Sequence, residues 1–184
     1  MTMDPVFESW LERQYADGMA LCGASEVLAL LPEAGAQPPR RFVAQFTSPT
    51  MVWTGTAAAR VDGFAVLFQF APDYLRSARD AGQILNLLAP GNVFHPNVAA
   101  PFICIGHVAP GTGLCELIYR VHEILTFNKL TPREDDALNH DACVWARRHM
   151  HLFPLSTVLL RRGAGEFSIV ETTDSEARDG SRGI

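Results

Sequence analysis

Val93-Phe94-His95-Pro96-Asn97-Val98-Ala99-Ala100-Pro101-Phe102-Ile103-Cys104-Ile105 is the stretch on which the reading of this chain turns. A proline fixes the backbone between a histidine and an asparagine, and a thiol follows nine residues after the histidine. Taken alone, His95-Pro96-Asn97 reads as a turn, and Cys104 between two isoleucines reads as core. Together they set an amide donor and a thiol on one loop, a pairing able to stabilise an oxyanion on a carbonyl attached to sulfur. The loop spans residues 89–113 and is rich in Pro and Gly. Loops of that length inside a domain are uncommon and are usually functional or disordered. Val93, Phe94, Val98, Phe102, Ile103 and Ile105 give this one apolar anchors of its own, so an ordered, functional loop is expected.

Upstream of the loop, alternation sets strands. Phe42, Ala44 and Phe46 share a face over residues 41–47, and Phe64, Val66, Phe68 and Phe70 share one over residues 61–70. A shorter strand is expected at 83–88, and residues 32–40, rich in Pro, Gly and Ala, read as a connector. The chain begins with a helix at 4–21: Asp4 can cap it, Pro5 suits its first turn, and Phe7, Trp10, Leu11 and Tyr15 recur at helical spacing. Downstream, Leu114, Leu117, Ile118, Val121, Ile124 and Leu125 form one helical stripe; Leu138, Ala142 and Trp145 form another, ended by Pro154. Residues 157–160 and 167–170, flanking Gly163-Ala164-Gly165, read as a small hairpin, and the polar stretch from Thr172 as a frayed tail. The fold class is α+β: one helix, an antiparallel meander, a long loop, then helices.

The chain has 184 residues, 48% of them hydrophobic and 19% charged, which suits a single globular domain with a real core and argues against disorder. Net charge is −5 with no basic block, so nucleic acid is not the expected partner. No apolar run approaches the roughly 18 residues of a membrane span, and the first residues do not resemble a secretory signal. A cytoplasmic protein without a membrane partner is therefore expected. Cys22, Cys104, Cys115 and Cys143 are read as thiols in a reducing compartment, because a chain this apolar needs no disulfide staples. Gly111-Thr112-Gly113 is only a fragment of a phosphate loop, lacking a third glycine and a lysine.

At His95-Pro96-Asn97 followed by Cys104, the chain resembles the ubiquitin-conjugating enzyme family, in which a His-Pro-Asn motif precedes the catalytic cysteine. Phe68-Gln69-Phe70-Ala71-Pro72-Asp73-Tyr74 is similar to that family's strand ending, and Asp135-Asp136-Ala137-Leu138-Asn139 to its Asp-Asp-Pro-Leu-Asn lead-in to a helix. The likeness covers residues 4–150 and implies that family's fold, with a catalytic domain over 1–155; the hairpin expected over 156–171 is foreign to the family, and a flexible tail follows over 172–184. The chain departs from the family pattern in several places. The spacing from His95 to Cys104 is one residue shorter, Ala100-Pro101-Phe102 replaces the glycine ahead of the cysteine, and the first helix is acidic at Asp4, Glu8, Glu12 and Asp17. These departures imply a divergent bacterial member, by analogy one encoded in a ubiquitin-like conjugation operon with a role in antiviral defence.

The resemblance assigns roles. Cys104 is the nucleophile that takes a ubiquitin-like protein from an activating enzyme as a thioester and passes it to an amine of a protein substrate. Asn97 supports the thioester or its oxyanion, His95 holds the loop by hydrogen bonds, and Asp136 orients or deprotonates the incoming lysine. Free lysine has a pKa near 10.4, so only about 0.04% is neutral at pH 7, and discharge is the harder half-reaction. No metal or organic cofactor is required. Two other classes remain open: a non-catalytic module of the same fold that binds ubiquitin-like proteins, and a zinc-binding domain using His95, Cys104, His107 and Cys115. His107, three residues after Cys104, is also placed to tune the thiolate.

Overall fold

The structure, a computed structural model, describes residues 4–77, 79–131 and 133–161. Asp4 caps the first helix, α1 (Pro5–Gly23), by accepting the Val6 N–H at 2.9 Å, and Pro5 sits in the first turn, where its missing N–H costs nothing. The inward face runs Phe7, Leu11, Gln14, Gly18, Leu21, in alternating steps of four and three, with Trp10 beside it. Tyr15, expected on this face, lies one step round the helix and is exposed.

Four strands follow in chain order as an antiparallel meander: β1 (Leu28–Pro32), β2 (Arg41–Trp53), β3 (Ala58–Gln69) and β4 (Leu85–Ala89). The first was not expected from sequence. It is a short edge strand in which Leu28 and Leu30 point inward while Leu31 is exposed, so leucine on both faces conceals the alternation. β2 runs well past the expected end, because a bulge between Phe46 and Pro49 lets the strand absorb a proline and continue to Trp53. β4 starts at Leu85 rather than Gln83, since residues 81–84 close a short helical turn, α2 (Ala81–Ile84).

The sheet's inner face (Phe42, Ala44, Phe46, Phe64, Val66, Phe68, Leu85, Leu87) packs in one core with α1 and with α3 (Leu114–Leu125). That helix presents Leu114, Leu117, Ile118, Val121 and Leu125, all fully buried, as its stripe predicts. Each such side chain contributes about 1.5–3 kcal/mol by leaving water. Gly113 offers α3 no capping side chain; Gln14 supplies one from α1, its Oε1 accepting the Leu114 N–H at 2.8 Å. Close packing of α1 also requires Gly18, since a Cβ there would meet Leu30 at 2.8 Å and Leu114 at 3.0 Å.

Between β4 and α3 the long loop is ordered. Its first part runs beside the end of β2: Trp53 N–H donates to Asn92 O (2.9 Å), and Phe94 N–H donates to Met51 O (2.8 Å). A two-residue hairpin, β5 (Val98–Ala99) with β6 (Phe102–Ile103), then folds back so that Leu87 N–H reaches Pro101 O at 2.8 Å. After α3, a 3₁₀ turn at Glu134–Asp136 leads into α4 (His140–Arg148), and a second 3₁₀ turn spans Met150–Leu152. The inward face of α4 is Ala142, Cys143 and Ala146; Leu138 lies ahead of the helix and is exposed. A second, smaller core joins Met51, Phe127, Ala146 and Leu155, with Trp145 and Phe153 packed on it.

Residues 157–160 form no strand, and Leu160 is buried in the main core instead. The expected second hairpin arm at 167–170 and the tail from Thr172 lie outside the described residues. The architecture is thus α+β, with a four-stranded antiparallel sheet and helices before and after it. Among the described residues no helix is long and apolar enough to cross a membrane.

Candidate functional site

His95, Pro96 and Asn97 form a turn closed by Val98 N–H donating to His95 O at 3.0 Å, with the proline at the position where its fixed φ is favourable. The His95 ring folds over this turn. Its Nδ1 accepts the Asn97 N–H at 3.0 Å, which places the ring proton on Nε2. The ring is wholly buried, edge-on to Phe127 with centroids 4.2 Å apart. Burial pushes its pKa down to about 3, opposed only by the Lys129 backbone, with which Nε2 makes no well-formed hydrogen bond. His95 is therefore a neutral group that holds the turn.

Asn97 reaches Cys104 twice. Its carbonyl accepts the Cys104 N–H at 2.8 Å, and its side-chain Nδ2 donates to the Cys104 carbonyl at 3.4 Å. The same amide is bound from the other side by Thr131: Oδ1 accepts the Thr131 N–H at 2.8 Å, and Nδ2 donates to Thr131 Oγ1 at 2.7 Å. Cys104 follows β6 directly. Ile103 and Ile105 point inward and are buried, so strand-like alternation turns the thiol between them toward solvent, half-buried. Gly106, at φ 81°, then bends the chain away in a conformation that a side chain would strain.

The segment past Cys104 is held to α3 by Arg120, whose Nη1 donates to His107 O at 2.7 Å while Nη2 pairs with Glu116. The contact at His107 is thus through its backbone; its side chain is exposed. The Asp-Asp-Ala-Leu-Asn segment meets the turn at Asn139, whose N–H donates to Pro96 O at 3.1 Å and whose Oδ1 caps α4 at the Ala142 N–H, 3.0 Å away. Asp136 itself is exposed and pairs with Arg133 at 3.7 Å. The ties between its turn and the cysteine loop run on either side of it, through Thr131 and Asn139.

His95, Cys104, His107 and Cys115 do not make a zinc centre. His95 is sealed in the core, and Cys115 lies on α3, where burial and the nearby Asp17 carboxylate raise its pKa. Among the described residues no three His, Cys, Asp or Glu side chains gather into a metal-holding group. All four cysteines are free thiols. A cleft of about 810 Å³ opens beside the turn, walled by Trp53, Phe94 and Trp145, but Cys104 does not line it. Cys104 is half-buried on its loop, outside that cleft.

Thr131, Arg120 and Phe127 are the members of this site that sequence reading missed. Thr131 and Arg120 sit in no motif; Thr131 pairs with Asn97, 34 positions away, and Arg120 reaches the His107 backbone, 13 positions away. Phe127 carried one local signal, a bulky residue just past the end of a periodic helix, where a left-handed glycine is usual. No protein-family model matches the chain, and no curated protein matches it.

Proposed function

We propose that this protein is a ubiquitin-conjugating-type acyl carrier. It accepts a ubiquitin-like protein from an activating enzyme as a thioester on Cys104 and passes it to an amine of a protein substrate. The observation that carries the reading is the double link from Asn97 to the Cys104 backbone, which holds a side-chain N–H at a half-buried free cysteine. The order of elements supports it too: α1, a four-stranded meander, the cysteine loop, then α3 and α4 is the order that the His-Pro-Asn resemblance implies.

In loading, the Cys104 thiolate attacks the donor thioester carbonyl, and the donor's own thiolate leaves. Exchange between thiols is near neutral in energy, so it needs a usable thiolate and a fit to the donor. In discharge, a neutral amine attacks the same carbonyl. Negative charge develops on the acyl oxygen, where Asn97 Nδ2 can donate, and the intermediate collapses as the Cys104 thiolate leaves. The amine's proton passes to Asp136 or to water. His95 takes no proton; it keeps the turn folded. The cytoplasm is the compartment in which such a thiol stays reduced.

The test is acyl transfer from a glycine-ended peptide α-thioester to the purified protein, followed by mass spectrometry and then by addition of free lysine. The wild type should gain one reductant-sensitive peptide adduct and lose it to lysine. Cys104→Ala, which retains Cys22, Cys115 and Cys143, should gain none. An adduct that persists in Cys104→Ala defeats the reading, and so does a Cys104 thioester that lysine discharges no faster than the same peptide's thioester of N-acetylcysteine. The latter result would favour a non-catalytic binding module.

A further inference from the structure

Beyond the residues that the motif supplies, we propose that Thr131 is a positioning residue for acyl transfer: by clamping both ends of the Asn97 amide it aims the second Nδ2 N–H at the reacting carbonyl on Cys104. The inference rests on the functional reading above and adds a residue to it.

A side-chain amide can turn over, exchanging its oxygen and nitrogen at little steric cost. Here the exchange is blocked. The Thr131 N–H can only donate, so the atom 2.8 Å from it must be Oδ1. The nitrogen end then faces Thr131 Oγ1 and Cys104. Nδ2 has two hydrogens. One is fully engaged at 2.7 Å by the threonine hydroxyl. The other spans 3.4 Å to the Cys104 carbonyl, long against the usual 2.9–3.0 Å or so, and is the one left to spare for an oxyanion. Thr131 is itself anchored, because its carbonyl accepts from Cys143 Sγ at 3.7 Å, and Cys143 is fully buried on α4. The connector between α3 and α4 therefore sets the direction in which Asn97 donates.

In the transfer itself the amine nitrogen bonds to the acyl carbon and the carbon–sulfur bond to Cys104 breaks. The electron pair leaves on Sγ, and the amine proton goes to Asp136 or to water. Thr131 touches none of these atoms. If it acts only through Asn97, its loss must be invisible once Asn97 is gone.

The experiment uses the full chain loaded from the peptide α-thioester and chased with free lysine. Thr131→Val removes the hydroxyl oxygen and keeps the shape and the N–H; Thr131→Ser keeps the oxygen. Thr131→Val should load within about twofold of wild type and discharge about 10-fold more slowly, a fraction of what one oxyanion donor is worth. Thr131→Ser should discharge within about twofold of wild type. Adding Thr131→Val to Asn97→Ala should slow discharge no further. Should valine prevent folding, Thr131→Ala makes the same comparison. The inference is overturned if Thr131→Val discharges like wild type, if it fails at loading instead, or if it slows Asn97→Ala by the factor it imposes on wild type. A wild type that takes no acyl group overturns the functional reading, and this inference with it. A wild type that loads and discharges beside an equally active Thr131→Val overturns this inference alone.

Discussion

His95 Nδ1 accepts the backbone N–H of Asn97 at 3.0 Å, and that bond exists only while the imidazole is neutral. Protonation would turn the acceptor into a second donor facing an N–H, in a fully buried site where a charge is poorly solvated. A second buried imidazole behaves alike: His122 on α3 shares a hydrogen bond with Ser48 at 2.9 Å, and burial lowers its pKa to about 4.

Stability should therefore fall on acidification. Both histidines have folded-state pKa values below the ordinary 6.5, about 3 for His95 and about 4 for His122. Below pH 6.5 the unfolded chain binds protons that the folded chain refuses, so unfolding becomes easier until the folded values are reached. Between about pH 6 and 4.5 each histidine should remove roughly 1.4 kcal/mol per pH unit. His122→Gln, which can still bond Ser48, should flatten the slope by about one histidine's share. Denaturant unfolding across that range checks this; parallel slopes for the two proteins would show that His122 is not buried neutral.

Phe127 ends α3 at φ 58°, a left-handed conformation that favours glycine. Two contacts hold it there: the edge of His95 at 4.2 Å and a stack on Phe153, also at 4.2 Å. Phe127→Ala loses both rings and keeps the strained backbone, so it should cost about 3–5 kcal/mol. Phe127→Gly loses the same contacts but relieves the strain, and should be more stable than alanine by about 1 kcal/mol, reversing the usual order. Equilibrium unfolding of the three proteins decides it.

What could be read in the sequence was whatever repeats locally. The stripes of α1 and α3, the faces of β2 and β3, and the turn with its thiol are all encoded within a few residues of themselves. β1 was missed because leucine occupies both of its faces, and the end of β2 because Pro49 looks like a stop where a bulge carries the strand on. Trp145, on the stripe expected to face inward, is half-buried, stacked on His149 at 4.4 Å, tilted against Phe94 and edge-on to Phe153. In the site, His95, Asn97 and Cys104 share one motif and were found together. Thr131 lies 34 positions from Asn97, and only the fold brings it there. Long-range polar partners carry no periodicity, and nothing beside Thr131 announces it.

Asn97→Ala should lower stability as well as rate. It deletes the acceptor of the Thr131 N–H, and leaving a part-buried donor unpaired costs about 1–3 kcal/mol. Asp136→Ala removes only an exposed carboxylate paired with Arg133, so its melting temperature should stay within about 1–2 °C of wild type. Thermal unfolding of the two variants separates a residue that builds the loop from one that stands beside it.

The two half-reactions should then separate as well. On the proposed function Cys104 acts in both, whereas Asn97 and Asp136 should matter mainly in discharge, where an amine attacks and charge develops on the acyl oxygen and the nitrogen. Loading has a thiolate as attacker, and no lysine proton needs removal. Asn97→Ala and Asp136→Ala should thus form the thioester at near wild-type yield and discharge to free lysine roughly 10-fold or more slowly, Asn97 showing the larger defect if it donates to the oxyanion. The Asp136 defect should shrink as pH rises, because more of the lysine is then already neutral and needs no carboxylate to take its ammonium proton before attack; the proton that nitrogen releases after attack can pass to water. The Asn97 defect should not, because the oxyanion must be met at any pH. A pulse-chase of the purified thioester across a pH series measures both. If the variants discharge at the wild-type rate and fail in loading, Asn97 and Asp136 serve donor docking or loop structure, even with Cys104 as the nucleophile.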